Sequence, residues 1–248
     1  NTTKFYNPLT INWRHMADGD DCPKCTMDGS TSNKVYITLA APKQKVYLTS
    51  LHLAVSNDGA ADASSAFQKT WSQFAGPANV KSWDSRPLYY YRDGIGFSSC
   101  ALDEEQLLTT ANGSGQCGSF AHLLIGTLAV NGILSEFVSI GASDGTLFLV
   151  KDWTYNTPSF PSAPEFKWGL IFNLAAITAR DIMVPKQPSD IYGDLVSLAT
   201  LRGQNTSPPS EKAFASHFIV KISIPGVNPT YYDPSYGVTY QNADDFEN

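Results

Sequence analysis

The feature that most constrains the fold is a cysteine placed between a glycine-rich stretch and a long apolar run. Glycine and serine fill residues 113–115, and Cys117 then opens a run of mostly small and apolar residues that extends to Val130. Asn131-Gly132 follows, a pair that is typical of a helix C-cap. The pattern predicts a buried helix that begins at Cys117 and ends near Val130.

A cysteine in the first turn of a helix is well placed to act as a nucleophile. Unpaired backbone N–H groups and the positive end of the helix dipole stabilise a thiolate there. The same N–H groups can bind an oxyanion, so Gln116 and Gly118 are candidates for oxyanion or substrate binding. The alternative interpretation is that Cys117 is a small buried thiol at a helix start.

A thiol nucleophile needs a base within hydrogen-bond reach and a third group that orients the base. The histidines of the chain are His15, His52, His122 and His217. His15 lies in a polar stretch, His52 lies on a predicted strand where alternation makes it structural, and His122 follows Cys117 by five residues and points away from it. His217 directly precedes a predicted strand, which can hold an imidazole rigidly, and it is our candidate base.

The candidate for the third group is an aspartate that follows His217 by sixteen residues. Tyr231, Tyr232 and Asp233 end the next predicted strand, and Pro234 follows. If the two strands are adjacent and antiparallel, Asp233 lies beside His217. The alternative is a turn former, since Asp-Pro commonly starts turns.

These three segments, in this order, resemble the motifs of the transglutaminase-like superfamily. Residues 115–121 are similar to its cysteine motif, 216–220 to its histidine motif and 232–235 to its Asp-Pro motif. The resemblance extends over about residues 80–240. It implies an α+β, papain-like fold in which a central helix headed by the catalytic cysteine packs on an antiparallel sheet.

The resemblance also implies acyl transfer at an amide bond through a thioester, with Cys117, His217 and Asp233 as the triad. The outcome would be cross-linking, deamidation or hydrolysis of a protein or peptide substrate, with no metal or cofactor. Some family members use a tryptophan upstream of the cysteine in the oxyanion hole, a role for which Trp83 is the candidate here.

The chain departs from the family in two places. Phe218 follows the histidine where the family often has tryptophan, and 100 residues separate Cys117 from His217. We therefore expect an insertion within 150–212 that forms a lid or a substrate-binding wall. The alternatives are a non-catalytic binding module of the same fold and a papain-type peptidase. The papain type is less favoured because it prefers asparagine in the third position.

The remaining secondary structure is predicted from periodicity and turn residues. Strands are expected at 35–40, 46–55, 133–140, 146–151, 218–224 and 229–232, a helix at 62–74 and a loop at 107–115. The short connector between the first two strands permits a hairpin. This order predicts an α+β fold. Residues 1–33 are interpreted as a polar N-terminal segment or linker, and 34–248 as the catalytic domain.

Composition excludes two classes of partner. The formal net charge is −6 with no run of Lys and Arg, so we expect no nucleic-acid partner. No apolar stretch is long enough to span a bilayer, so we expect no membrane span. The chain begins at Asn1, and we expect it to be a mature or excised fragment. The oligomeric state has no signal in the sequence.

Two of the four cysteines form a CxxC motif, Cys22 and Cys25. The motif lies in a polar, loop-like stretch and has no second pair as a zinc ribbon would require. A local disulfide, two free thiols, and a metal or redox site all remain open. A local disulfide would be typical of an oxidising compartment, so a secreted or periplasmic location is expected.

Overall fold

A computed structural model gives the arrangement of the chain, and it describes residues 2–14, 27–42, 44–76, 79–92, 94–142, 149–150, 154–155, 182–184, 203–205, 214, 216–228, 230–243 and 246–247. The helices are α1 (Leu48–Val55), α2 (Ala63–Trp71), α3 (Glu104–Thr109) and α4 (Cys117–Val130). The strands are β1 (Lys4–Arg14), β2 (Met27–Ile37), β3 (Tyr89–Tyr90), β4 (Ser114–Gly115), β5 (Ser135–Ala142), β6 (Leu149–Val150), β7 (Thr154–Tyr155), β8 (Ile182–Val184), β9 (His217–Ile222), β10 (Tyr231–Asp233), β11 (Val238–Tyr240) and β12 (Phe246–Glu247). Cys22, Cys25, His15, most of the expected insertion within 150–212 and most of the predicted strand 146–151 lie outside the described residues.

Helix α4 forms the centre of the fold. It begins at Cys117 and is followed by Asn131 as C-cap, as the sequence predicts. Almost every side chain of α4 is buried, which is typical of a helix surrounded by other elements. Its neighbours are α1, α2 and α3 together with β4, β5 and β9. Gly132 follows in the left-handed region, with φ 73°, and completes the predicted C-terminal turn.

The main sheet carries the histidine and the aspartate. In the described part of the chain it has six strands in the order β7-β11-β10-β9-β5-β8. All neighbours are antiparallel except β5 and β8, which are parallel. The helices and the mainly antiparallel sheet confirm the predicted α+β class, and the predicted adjacency of the two strands that carry His217 and Asp233 is confirmed.

The N-terminal residues form a ribbon in which β1 pairs with β2. The hairpin that the sequence permits between residues 35–40 and 46–55 is therefore not formed, because the partner of β2 comes from before it in the chain. The interpreted boundary between residues 33 and 34 falls inside β2. At the base of the ribbon, Phe5 stacks on Tyr36 at 4.7 Å, and both rings meet His52 edge-on.

Two further predictions of local structure are wrong. Residues 48–55 form helix α1, so His52 lies on a helix and not on a strand. The predicted loop 107–115 contains the end of α3 and the strand β4. The predicted helix at 62–74 is confirmed as α2, and its N-terminus is closed by a capping box between Asp62 and Ser65.

Candidate active site

The segment before Cys117 is an extended strand, β4, which ends at Gly115, two residues before α4 begins. Strand β4 runs parallel to β3, and the Gln116 N–H donates to the Ala101 carbonyl at 2.9 Å. Gln116 is itself extended, with φ −93° and ψ 174°, and it is the N-cap of α4. This junction places Cys117 at the first helical position, where backbone N–H groups have no intrahelical acceptor.

Two glycines beside Cys117 lie where a side chain has little or no space. A Cβ at Gly115 would collide with the Ser119 hydroxyl and lie 3.0 Å from Leu107 Cδ1. That hydroxyl donates to the Gln116 carbonyl at 2.8 Å, so it cannot move away freely. A Cβ at Gly118 would lie 3.0 Å from the Leu102 carbonyl oxygen. The tight fit accounts for both glycines in the cysteine motif.

The imidazole of His217 is fully buried at the start of β9. His217 lies opposite Ile140 of β5 in the sheet. Its ring packs against Phe214 at 4.4 Å and Tyr236 at 5.8 Å between ring centroids. These contacts hold the ring in one orientation, which a catalytic base requires.

Asp233 is the last residue of β10 and orients His217 directly. Its Oδ2 accepts a hydrogen bond from His217 Nε2 at 2.7 Å and another from the Tyr240 hydroxyl at 3.0 Å. Its Oδ1 accepts from the Ser235 backbone N–H at 2.9 Å. Because a carboxylate accepts hydrogen bonds, Nε2 carries a proton and Nδ1 is the nitrogen that can exchange one.

His217 Nδ1 is buried and has no hydrogen-bond partner among the residues that the structure describes. Burial lowers the pKa of His217, but the Asp233 carboxylate and the Cys117 thiol raise it, and the pKa is about 10. A Cβ at Gly118 would lie 3.6 Å from the Phe218 ring, so the first turn of α4 packs against the start of β9, although Nδ1 and the thiol do not meet the geometry of a hydrogen bond. Such pairs are often loosely aligned without substrate.

The structure therefore brings Cys117, His217 and Asp233 together, with Gln116 and Gly118 flanking the thiol. Trp83 is placed differently. Its side chain is 42% exposed, and its ring lies under the Lys34 ammonium at 5.1 Å. Its backbone N–H donates to the Thr49 hydroxyl. None of these described contacts of Trp83 is with the triad.

Several aromatic residues of the site were not predicted from the sequence. Phe214, Tyr236 and Tyr240 surround His217 and Asp233, and Tyr90 packs on Tyr236 at 5.0 Å. Residues 89–91 are three consecutive tyrosines, a pattern that by itself indicates packing. The signal that was missed is its position: β3 lies next to the strand that leads into Cys117.

Two cavities of the described chain lie away from the triad. One, of about 580 Å³, is lined by residues around the N-terminus of α2 and the segment 131–134. The other, of about 470 Å³, lies between α2 and β10 and has Phe67, Trp71 and Tyr232 in its wall. Neither is lined by Cys117, His217 or Asp233.

The described residues contain no cluster of three or more metal-ligating side chains, and none of their helices is long and apolar enough to cross a membrane. Cys100 and Cys117 are both free thiols. Comparisons with protein families, with curated proteins and with solved structures found no match.

Proposed function

We propose that this chain is a cysteine-dependent acyl-transfer enzyme with a transglutaminase-like, papain-like fold, and that Cys117, His217 and Asp233 are its catalytic triad. The observation that carries the proposal is the fully buried pair of His217 and Asp233, in which Nδ1 has no hydrogen-bond partner among the described residues, together with a thiol at the N-terminus of α4 that raises the pKa of the ring. A histidine buried for packing alone does not need a buried carboxylate, which is costly to desolvate. Buried ion pairs with strongly shifted pKa values are concentrated at functional sites.

The proposed chemistry begins with transfer of the Cys117 thiol proton to His217 Nδ1. The thiolate attacks the carbonyl carbon of an amide, so that a C–S bond forms and the C=O π electrons move to oxygen. When the intermediate collapses, the C–N bond breaks and His217 returns its proton to the leaving amine. The product is a thioester on Cys117 and a free amine.

Deacylation uses the same groups in reverse. Water or a primary amine gives a proton to His217 Nδ1 and attacks the thioester carbonyl. The C–S bond then breaks and Cys117 leaves as a thiolate. Water yields a hydrolysed or deamidated product, and a lysine amine yields a cross-link. The alternative of a non-catalytic module of this fold would not form the thioester.

The first test is alkylation by iodoacetamide at mildly acidic pH, with the adduct mapped by mass spectrometry. We expect rapid, selective labelling of Cys117 that is lost in His217→Ala, because the imidazolium is what keeps the thiolate ionised. Cys100 is the internal control. Burial raises the pKa of its thiol, although the hydrogen bond with Ser114 opposes this, so it should not react.

The second test is acylation by p-nitrophenyl acetate. The proposal predicts a burst of nitrophenolate and the mass of one acetyl group on Cys117, absent in Cys117→Ser and His217→Ala. Transfer of that acetyl group to water or to an added primary amine then separates hydrolysis from transamidation. A chain with a reactive Cys117 thiol that is never acylated would be a binding module and would refute the proposal.

A further inference from the structure

Tyr91 has a backbone conformation that a bulky side chain rarely adopts. Its φ is 53°, in the left-handed region. The conformation is held by two hydrogen bonds to β4, from the Tyr91 N–H to the Gly115 carbonyl at 3.1 Å and from the Arg92 N–H to the Ser114 hydroxyl at 2.9 Å. Such strain costs free energy and is concentrated at functional sites, where it aims a side chain. Here the strained residue, Tyr91, is hydrogen-bonded to Gly115, which lies two positions before Cys117.

The Tyr91 ring belongs to a chain of aromatic contacts that leads to the catalytic histidine. It lies 4.6 Å from the Tyr90 ring, which packs on Tyr236, which in turn packs on His217. Burial raises the pKa of the Tyr91 phenol, and negative charge on Cys117 raises it further. The phenol therefore stays protonated, so that its hydroxyl can donate a hydrogen bond, and the bond from the Tyr91 N–H to the Gly115 carbonyl fixes the residue beside the segment that leads into Cys117.

Among these three tyrosines, Tyr91 is the one that a substrate can reach. Tyr90 is 3% exposed and Tyr236 is 1% exposed, whereas Tyr91 is partly exposed. Cys117 is buried, with 7% of its surface exposed. A group that assists the carbonyl oxygen must be accessible from the same side as the substrate.

We propose that the Tyr91 hydroxyl is an oxyanion-hole donor, which hydrogen-bonds the substrate carbonyl oxygen as Cys117 attacks. The inference rests on the proposed function. The hydroxyl donates without transferring its proton: the C–S bond forms, the π electrons move to oxygen, and the developing charge is shared between Tyr91 and the backbone N–H groups at the start of α4. The resemblance to the transglutaminase-like superfamily implies this role for Trp83, whose ring lies under Lys34.

The test compares two reactions of the same thiol in Tyr91→Phe. Acylation by p-nitrophenyl acetate passes through an oxyanion, whereas alkylation by iodoacetamide does not. We expect acylation to slow by about 10²-fold, as for other losses of one oxyanion donor, while alkylation is unchanged. Unchanged alkylation also shows that the variant is folded at the site. Trp83→Phe should leave both reactions as they are.

Tyr89→Phe is the matched control, because Tyr89 is a neighbour in the same string and its ring lies under Arg92 at 4.9 Å. It should leave both rates unchanged. Normal acylation in Tyr91→Phe would overturn the inference and leave the proposed function standing. An equal loss of acylation and alkylation would also overturn it, since Tyr91 would then act on the thiolate. No acylation in the unsubstituted chain would overturn the proposed function and this inference together.

Discussion

The imidazole of His217 lies between two aromatic rings and away from solvent, an environment that by itself lowers its pKa and favours the neutral ring. The carboxylate of Asp233 reverses this effect through a 2.7 Å hydrogen bond and its charge. The pKa of about 10 therefore belongs to the pair, and the ring is protonated at neutral pH when Cys117 is ionised. At the residue scale, the charge of the imidazole depends on Asp233.

Asp233→Asn tests this dependence. Without the carboxylate, burial dominates, the pKa of His217 falls, and the imidazolium that stabilises the thiolate is lost. The thiolate of Cys117 then lacks a neighbouring cation, so we expect alkylation by iodoacetamide at about pH 6 to slow by about 10²-fold. At higher pH the difference should shrink, because an ordinary thiol ionises there without help.

The control for Asp233→Asn is Tyr240→Phe. It removes the other side-chain donor to Oδ2 but leaves the carboxylate and its charge in place. We expect Tyr240→Phe to change the pH profile of alkylation much less than Asp233→Asn does. Profiles of the same shape for Asp233→Asn and the unsubstituted chain would mean that Asp233 does not set the charge of His217.

At the scale of elements, the important feature is the junction between β4 and α4. Gly115 ends the strand and Cys117 begins the helix, and the Ser119 hydroxyl fills the space beside the Gly115 Cα. Gly115→Ala should destabilise the chain by about 1–3 kcal/mol, as overpacking of a core usually does. It should also slow alkylation of Cys117, because the first turn of α4 must shift. Urea unfolding and alkylation rates measure the two effects.

Two further variants make the test of the junction specific. Ser119→Ala in the Gly115→Ala background removes the hydroxyl from the collision and should recover part of the lost stability, which a double-mutant cycle detects. Gly96→Ala is the matched control, since a Cβ there meets nothing within 4 Å. Equal stability of Gly115→Ala and Gly96→Ala would contradict the argument.

The same scale shows where local sequence is a good predictor and where it is not. Helix α4 was predicted at both ends, because its glycine-rich start, apolar run and C-cap pair are all local signals. Helix α1 was predicted as a strand, because its residues alternate and include β-branched side chains. Its buried side includes Leu53, Ala54 and Val55, and Ala54 and Val55 pack with Val130 of α4 in a cluster separated by many residues in sequence. Tertiary packing overrides a weak local preference.

Helix α3 was missed although it has a local signal. Asp103 is its N-cap and accepts from the Gln106 N–H at 2.8 Å, and Glu104 and Glu105 occupy its first turn. An aspartate followed by acidic residues is typical of a helix start. Tyr91, the proposed oxyanion-hole donor, has no such local signal. The left-handed conformation of Tyr91 depends on pairing between segments more than twenty residues apart, which local sequence does not encode.

At the scale of the whole molecule, Glu104 joins three elements through one buried carboxyl group. It belongs to α3, accepts a hydrogen bond from the Ser50 hydroxyl of α1, and packs against α4 where Gly126 leaves room. A Cβ at Gly126 would lie 2.7 Å from Glu104 Oε1. Burial raises the pKa of Glu104 to about 7, although the hydrogen bond from Ser50 opposes this.

The position of this pKa predicts how the stability of the chain depends on pH. The unfolded carboxyl titrates near its ordinary value of 4.5 and the folded one near 7. Between these values the folded state binds more protons than the unfolded state, so the contribution of Glu104 to the free energy of unfolding falls as pH rises. Glu104→Gln removes the titration and keeps an uncharged side chain of the same shape.

We therefore expect the stability of the unsubstituted chain, relative to Glu104→Gln, to fall by roughly 1–3 kcal/mol between about pH 5 and pH 8 in urea unfolding. The difference between the two proteins isolates Glu104, because every other titrating group, His217 included, is common to both. Glu105→Gln is the matched control. The Tyr47 hydroxyl and Lys45 lower the pKa of exposed Glu105, so it is already ionised throughout this range, and its difference from the unsubstituted chain should not vary. If the difference in stability between the unsubstituted chain and Glu104→Gln also does not vary with pH, the Glu104 carboxyl stays ionised in the core, with solvent or a charged group near it.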